Sequence, residues 1–328
     1  MPTNRGPRRA TIRDVAREAG VSTTTVSDAL AGRGRLTEAT RQRVRAAADA
    51  VGYVASAAAR NLRLGRSGSL GLYLPDRTVG FEYYTHLARG AAEEALGHGY
   101  ALTLIPAWHD AQQLAALHLD GLIVSDPDVN DPVLQILRSL PIPMVTCEQD
   151  LHPDAAPVGV VHSDHAAAMT ELLAHLRAAG AHRIDVLAPE QTNFFGAEIR
   201  RACRTDPEVR VIDVPLAYEM SQIRTAVDVS LGGSPDALVV VPDGAALGAL
   251  QHLQRRGVSV PEDLPLASYV DGPSLAACAP SITAVDIDPR SAGAAAVQSL
   301  VGVVRDGAEY ADPVQVSARL VVRESTQR

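Results

Sequence analysis

The sequence predicts two fold classes in one chain, a small all-α headpiece carrying a helix-turn-helix and a larger α/β body built on parallel sheets. Three observations carry this. The first is the stretch Thr11–Leu30, TIRDVAREAGVSTTTVSDAL, which reads as two short helices joined by a tight turn. The second is a run of apolar strand-like segments beyond Ser69 that alternate with helical patterns; continuous apolar strands separated by helices indicate sheets covered on both faces. The third is a charge division. Residues 1–66 hold 13 Arg against 5 acidic residues, whereas the rest of the chain holds 17 basic and 33 acidic residues, so a formal +8 head sits on a −16 body.

The headpiece can be justified element by element. Thr11 followed three residues later by Asp14 forms a capping box that starts the first helix near Ile12. Ile12, Val15, Ala16 and Ala19 share one helical face, and Gly20 supplies a turn at positive φ. Ser22 caps a second helix that buries Val26, Ala29 and Leu30 and leaves Thr23, Thr24, Ser27 and Asp28 outward. Short polar side chains of this kind suit close approach to a groove. Thr37 caps a third helix with Val44, Ala47, Ala48 and Val51 as its buried stripe. Residues 1–10 read as a disordered basic arm, 11–55 as the headpiece, and 56–67 as a linker too short to hold a helix alone.

In the body, residues 68–328, the strand-like runs are 70–75, 101–106, 121–125, 142–146, 158–161, 183–188, 209–215, 237–242 and 265–270. Helical stretches such as 82–98, 164–179, 244–256 and 290–305 lie between them, and the length suits two sheets. The three cysteines, Cys147, Cys203 and Cys278, are far apart and include no C-x-x-C pair, which argues against a disulfide framework or zinc site. No stretch has the apolar length of a membrane span and no apolar run follows the N-terminal charges, so the expectation is a cytoplasmic protein. Enzyme readings find little. GRGRLT (32–37) follows a helix where a dinucleotide loop would follow a strand, and no Walker or G-x-S-x-G sequence occurs. His162, Asp164 and His165 come from one strand end, where three metal ligands rarely converge. No cofactor and no metal are expected.

The stretches ATIRDVAREAGVS, TVSDAL, TRQRV and VGYV resemble the LacI/GalR family of bacterial transcription regulators, almost without gaps through Arg63. The body shows further resemblances in HGY (98–100), DGLIV (120–124), VPEDL (260–264), PSITAV (280–285) and REST (323–326). The resemblance implies a hinge helix after the headpiece, then a two-lobed core like the type I periplasmic binding proteins. Lobe 1 would take about 68–160 and 289–312, and lobe 2 about 161–286 and 315–328. It also implies a homodimer on a near-palindromic DNA operator and a small, sugar-like effector in the cleft.

By motif position, Thr23, Thr24 and Asp28 would face bases, and Thr11, Ser22, Thr25 and Ser27 would bond phosphates. Arg60 and Leu62 of the hinge would reach DNA, Leu62 as a wedge in a minor-groove step. Asp28 stands where many relatives carry Arg; a carboxylate only accepts hydrogen bonds, so the operator is expected to differ. In the cleft the resemblance places Tyr83 and Tyr84 as stacking rings and Asp164 as the acidic residue. Phe194 and Phe195 would add aromatic lining, and Arg200 and Arg201 are the candidates for a cleft arginine. Asp243 and Asp271 remain from two polar motifs, whose other hydrogen-bonding positions are here Pro242 and Val270. Two other readings stay open, a regulator whose cleft answers to a protein partner or to no ligand, and a solute-binding protein.

Overall fold

The computed structural model describes all residues except 1–9, 31, 33, 54–64, 76–81, 106, 108–112, 115 and 328. Nearly all of the basic arm and most of the hinge, with Arg60 and Leu62, therefore lie outside the described residues. The chain divides into two compact units, Met1–Arg66 and Ser67–Arg328.

Among its described residues the first unit holds three helices, α1 (Ile12–Ala19), α2 (Thr23–Leu30) and α3 (Glu38–Ala50). The Asp14 carboxylate accepts from the Thr11 amide at 2.9 Å and closes the start of α1, while Gly20 ends that helix at φ 63°. Ser22 Oγ accepts from Thr25 N at 3.1 Å, and Thr37 Oγ1 accepts from Thr40 N at 3.3 Å. Val15, Val26, Ala29 and Val44 are fully buried in the shared core, flanked by Ile12, Leu30 and Leu36.

The second unit holds two six-stranded sheets. The first takes β1 (Ser69–Tyr73), β2 (Ala101–Ile105), β3 (Gly121–Ser125), β4 (Met144–Cys147), β5 (Gly159–Ser163) and β11 (Val314–Val316), in the order β11-β5-β4-β3-β1-β2, all parallel. The second takes β6 (Ile184–Ala188), β7 (Val209–Asp213), β8 (Ala237–Val240), β9 (Leu266–Ser268), β10 (Thr283–Asp286) and β12 (Arg319–Val321), in the order β12-β10-β9-β8-β6-β7. The first sheet carries α4 (Glu82–Gly97), α5 (Pro132–Arg138) and α11 (Pro289–Asp306). The second is covered by α6 (His165–Ala178), α7 (Phe194–Cys203), α8 (Met220–Gly232), α9 (Ala245–Arg255) and the short α10 (Pro273–Ala277). The apolar runs of the inner strands are buried from both sides, as Gly121–Ser125 is throughout, while the edge strands β2 and β7 keep partial exposure.

Two details differ from the sequence reading. The first sheet keeps its hydrogen bonds through Ser163 and Val316, a few residues past the limits of 160 and 312, because β11 pairs with the whole end of β5. The second sheet is not wholly parallel. β12 follows β11 after two residues, with no crossover helix to restore its direction, and so runs antiparallel to β10.

Candidate nucleic-acid interface and ligand cleft

On the first unit, α2 buries Val26 and Ala29 and turns Thr23 and Thr24 to solvent. Thr25, Ser27 and Asp28 are half-buried, Ser22 and Thr11 exposed. The hydroxyls of Ser22 and Thr25 are 2.9 Å apart, which fixes the cap of α2 and presents both at its amino end. Such an amino end, with free amides and hydroxyls, suits phosphate oxygens. All seven residues named from the headpiece motif thus sit on or beside the start of α1 or α2.

In the second unit a cleft opens where strands of both sheets end. Tyr83 and Tyr84 line it from the first turn of α4, Asp126 from the end of β3 and Glu148 from the end of β4. His165 and Phe195 enter from the starts of α6 and α7, and Leu216, Asp243, Val270 and Ile287 follow β7, β8, β9 and β10. Loops at the carboxyl ends of parallel strands are where doubly wound sheets bind ligands. The cavity is only about 30 Å³, room for water. A metabolite needs several times that volume, so the lobes must part to admit one.

Hydrogen bonds hold the lobes together across this cleft. Asn193 Nδ2 donates to Asp126 Oδ1 at 2.9 Å, and within the first lobe Tyr84 donates its hydroxyl to Asp126 Oδ2 at the same distance. Thr192 donates to Asp128 at 2.5 Å, and the Tyr83 amide donates to Asp243 Oδ2 at 2.9 Å. Deeper in, His165 Nε2 lies 3.0 Å from Glu148 Oε1, an ion-pair distance for the protonated ring. Its Nδ1 is 3.0 Å from the hydroxyl of buried Tyr269. Burial works to lower the His165 pKa, but the negative charge of Glu148, with Asp126 and Glu198 beyond it, prevails and raises it. The Tyr83 hydroxyl is pushed well above its usual range by burial first, then by Glu148, Cys147, Asp126 and Asp243. Its ring keeps some exposure while the hydroxyl lies deep. Asp126 and Glu148 hold positive φ, 49° and 73°, conformations that side chains other than glycine adopt at a cost.

Two family profiles match the chain, the lacI family of bacterial regulatory proteins over residues 11–56 and a periplasmic binding protein-like domain over residues 173–326, together more than half its length. The chain is 27% identical to the HTH-type transcriptional repressor CytR of Escherichia coli, over 97% of this chain and 96% of that one. It is 26% identical to the repressor PurR of Photobacterium profundum, over 97% and 99%. The regulator PtxS of Pseudomonas putida is 29% identical over 97% and 96%. Among solved structures, the lac repressor dimer bound to operator and the anti-inducer ONPF superposes with a TM-score of 0.77 at 20% identity, over 98% of this chain and all of that one. The CelR–cellobiose complex gives 0.70 at 24%, over 97% and all of that chain. These likenesses agree with the observed fold.

Of the effector residues expected from the family motifs, Tyr83, Tyr84 and Asp243 line the cleft and three do not. Asp164 is an exposed helix cap whose carboxylate accepts from Ala167 N at 2.9 Å. Asp164→Ala should therefore leave ligand affinity unchanged and cost about 1 kcal/mol of stability, read by calorimetry and thermal melting. Phe194 is half-buried, its ring 6.5 Å from His162 and 6.3 Å from His165, and its neighbour Phe195 supplies the lining. Asp271 is held by Arg323 through two hydrogen bonds of 2.8 and 2.7 Å, which tie the end of β9 to the C-terminal segment. Arg200 folds back on Pro189 O, Ala188 O and Asp213, and Arg201 pairs with Glu198, so neither lines the cleft. The sequence reading missed Asp126, Glu148 and His165 as cleft groups. Each acid directly follows an apolar run, at the strand end where such folds bind ligands, and that placement was the available signal.

No described helix is long and apolar enough to cross a membrane.

Proposed function

We propose that the chain is a DNA-binding transcription repressor, acting as a homodimer on a near-palindromic operator, whose body binds a small metabolite and thereby changes operator affinity. The observation that carries this is α2, a capped helix on a self-contained three-helix core, with its polar face presented and its sequence inside the lacI-family match. Repressors similar over nearly their whole length support the reading. Thr23, Thr24 and Asp28 read base edges, and Thr11, Ser22, Thr25 and Ser27 set register on phosphates. Arg60 and Leu62 take their hinge roles from the family resemblance alone.

The effector enters between the lobes, and its differential affinity for two lobe arrangements sets how far it shifts the regulator. A sugar-like compound would donate its hydroxyls to Asp126, Glu148 and Asp243 and lay a face on Tyr83.

Selection of bound sites from random DNA tests the proposal. The recovered site should be a near-palindrome, and affinity for it should fall about a thousandfold or more over a fourfold rise in salt, as several Arg side chains displace counterions. Asp28→Arg should change the preferred base at one symmetric position, with about 1–3 kcal/mol of discrimination. A flat salt dependence would sink the DNA reading, and an unchanged site would remove Asp28 from base recognition.

A further inference from the structure

Two seams of hydrogen bonds join the lobes at the rim of the cleft. In the first, the loop after β3 meets the segment ahead of α7. The Val129 amide donates to Thr192 O at 3.0 Å, and Asp128 pairs with Asn193 as an antiparallel bridge. Thr192 Oγ1 donates to Asp128 Oδ2 at 2.5 Å, and Asn193 Nδ2 reaches Asp126. Asp128 and Asn193 are both buried.

In the second seam the other lobe meets the first turn of α4. Asp243 Oδ2 accepts from Tyr83 N at 2.9 Å, a carboxylate at the amino end of a 16-residue helix, where the helix dipole favours it. Glu82 reaches back from the same turn and accepts from Ser274 Oγ at 3.3 Å. Gly272 leaves room for it, since a Cβ there would sit 2.2 Å from Glu82 Oε2.

Neither seam is at a hinge. The chain passes between lobes from β5 to α6, from β10 to α11 and from β11 to β12. β5 and β11 stand at one edge of the first sheet, whereas the seams spring from β3 and from the helix after β1, toward the other edge. Rotation about the crossings therefore breaks the seams.

The closed arrangement is complete without ligand. Acids, amides and hydroxyls at the rim satisfy one another across the gap, where a cleft built to close on a ligand would leave them for that ligand. The enclosed space, about 30 Å³, holds water and no metabolite. A ligand that fits only between parted lobes has its higher affinity for that arrangement and shifts the body toward it.

We infer that the two seams act as one latch that closes the body with no ligand bound, and that releasing it is the step that resets operator affinity. The effector enters as a wedge. This rests on the reading of the body as the effector-binding part of a repressor, and it names how that site is regulated.

The test is residue-resolved hydrogen exchange on the ligand-free full chain, followed at the amides of Val129 and Tyr83. Each has its acceptor in the opposite lobe, and an amide in the first turn of a helix has none within the helix. Both should exchange about a hundredfold or more slowly than in an unstructured peptide. Thr192→Val keeps the shape and removes a donor of the first seam. It should speed exchange about tenfold at Tyr83 as well as at Val129, because a single latch opens as a unit. Asp243→Ala, on the second seam, should in turn speed Val129, and it carries the test if Thr192→Val fails to melt cooperatively. Thr170→Val removes a hydroxyl bonded to Ala166 O within one lobe and should change neither amide. Exchange at peptide rates in the wild type, or a substitution felt only on its own seam, would overturn the latch. Affinity for the selected operator is measured on the same proteins with no ligand added, and both seam substitutions should shift it about tenfold in the same direction. Unchanged affinity despite lost protection would overturn the regulatory role. A wild type that binds no DNA would refute the repressor reading, while the latch stands or falls on the exchange data.

Discussion

Gly90→Ala should destabilise the body by about 2–3 kcal/mol, although it adds a single methyl group to a helix that alanine would ordinarily favour. Gly90 lies on α4 where α11 crosses it, and a Cβ there would sit 2.0 Å from the carbonyl oxygen of Arg290. Backbone at the start of a packed helix cannot yield as a side-chain tip can. Gly293 makes the reciprocal approach, its Cβ falling 2.1 Å from Leu87 O, so the two glycines let the helices touch along their backbones. Gly302 is the control. It lies on the same α11 with nothing within 4 Å of its Cβ, so Gly302→Ala should be neutral or stabilising by up to about 1 kcal/mol. Urea unfolding of the three proteins would show the contrast, and equal midpoints for wild type and Gly90→Ala would mean that the helices part at little cost. Because α4 carries Tyr83 and Tyr84 in its first turn, the same substitution should also weaken ligand binding.

How much of this was legible in the sequence depends on the range of the interaction that fixes each feature. The headpiece is specified by local signals. Thr11 with Asp14, Gly20, Ser22 and Thr37 each act within four residues, and each stands where the sequence placed it. The strands were legible because burial from both sides leaves an unbroken apolar run. β10 was quoted only inside a motif, and β11 and β12 were not read at all. The latter two are three residues each, too short for a pattern.

The cleft was harder because its chemistry is set by side-chain direction and by distant partners. Phe194 and Phe195 are adjacent, and the phase of α7, fixed by its Asn193 cap, selects the second for the lining. Asp164 matched a family position, yet an acid just ahead of a helix is equally a cap, and here the cap is what forms. Asp271 finds Arg323 across 52 residues, a pairing that no local pattern announces. Asp126 and Glu148 adopt a left-handed backbone that sequence usually marks with glycine, so nothing flagged the turns that set them in the cavity. Pro242 and Val270 read as lost hydrogen-bonding positions, and Val270 stands in the cavity as an apolar wall. Buried Tyr269 beside it meets the His165 ring nitrogen, a contact across 104 residues that no local pattern announces.

Val44→Asp should abolish operator binding at every salt concentration while the body still melts as wild type. Val44 is fully buried at the centre of a core made mostly of alanine and valine, with Val15, Val26 and Ala29 around it. A core of that size supplies little surplus stability, since a small domain buries a smaller share of its surface than a large one. Placing a carboxylate there costs about 4 kcal/mol or more, because the group must either lose its hydration unpaired or take up a proton. The expected outcome is an unfolded headpiece, with Thr23, Thr24 and Asp28 no longer held on one helical face. The body has its own cores in both sheets, and its compact unit begins at Ser67, so its unfolding transition should be unchanged. Circular dichroism, two-probe melting and electrophoretic mobility shift on one preparation read all three consequences. Operator binding at wild-type affinity would show that the presentation of α2 does not depend on this core, and loss of the body's transition would show that the two units fold as one.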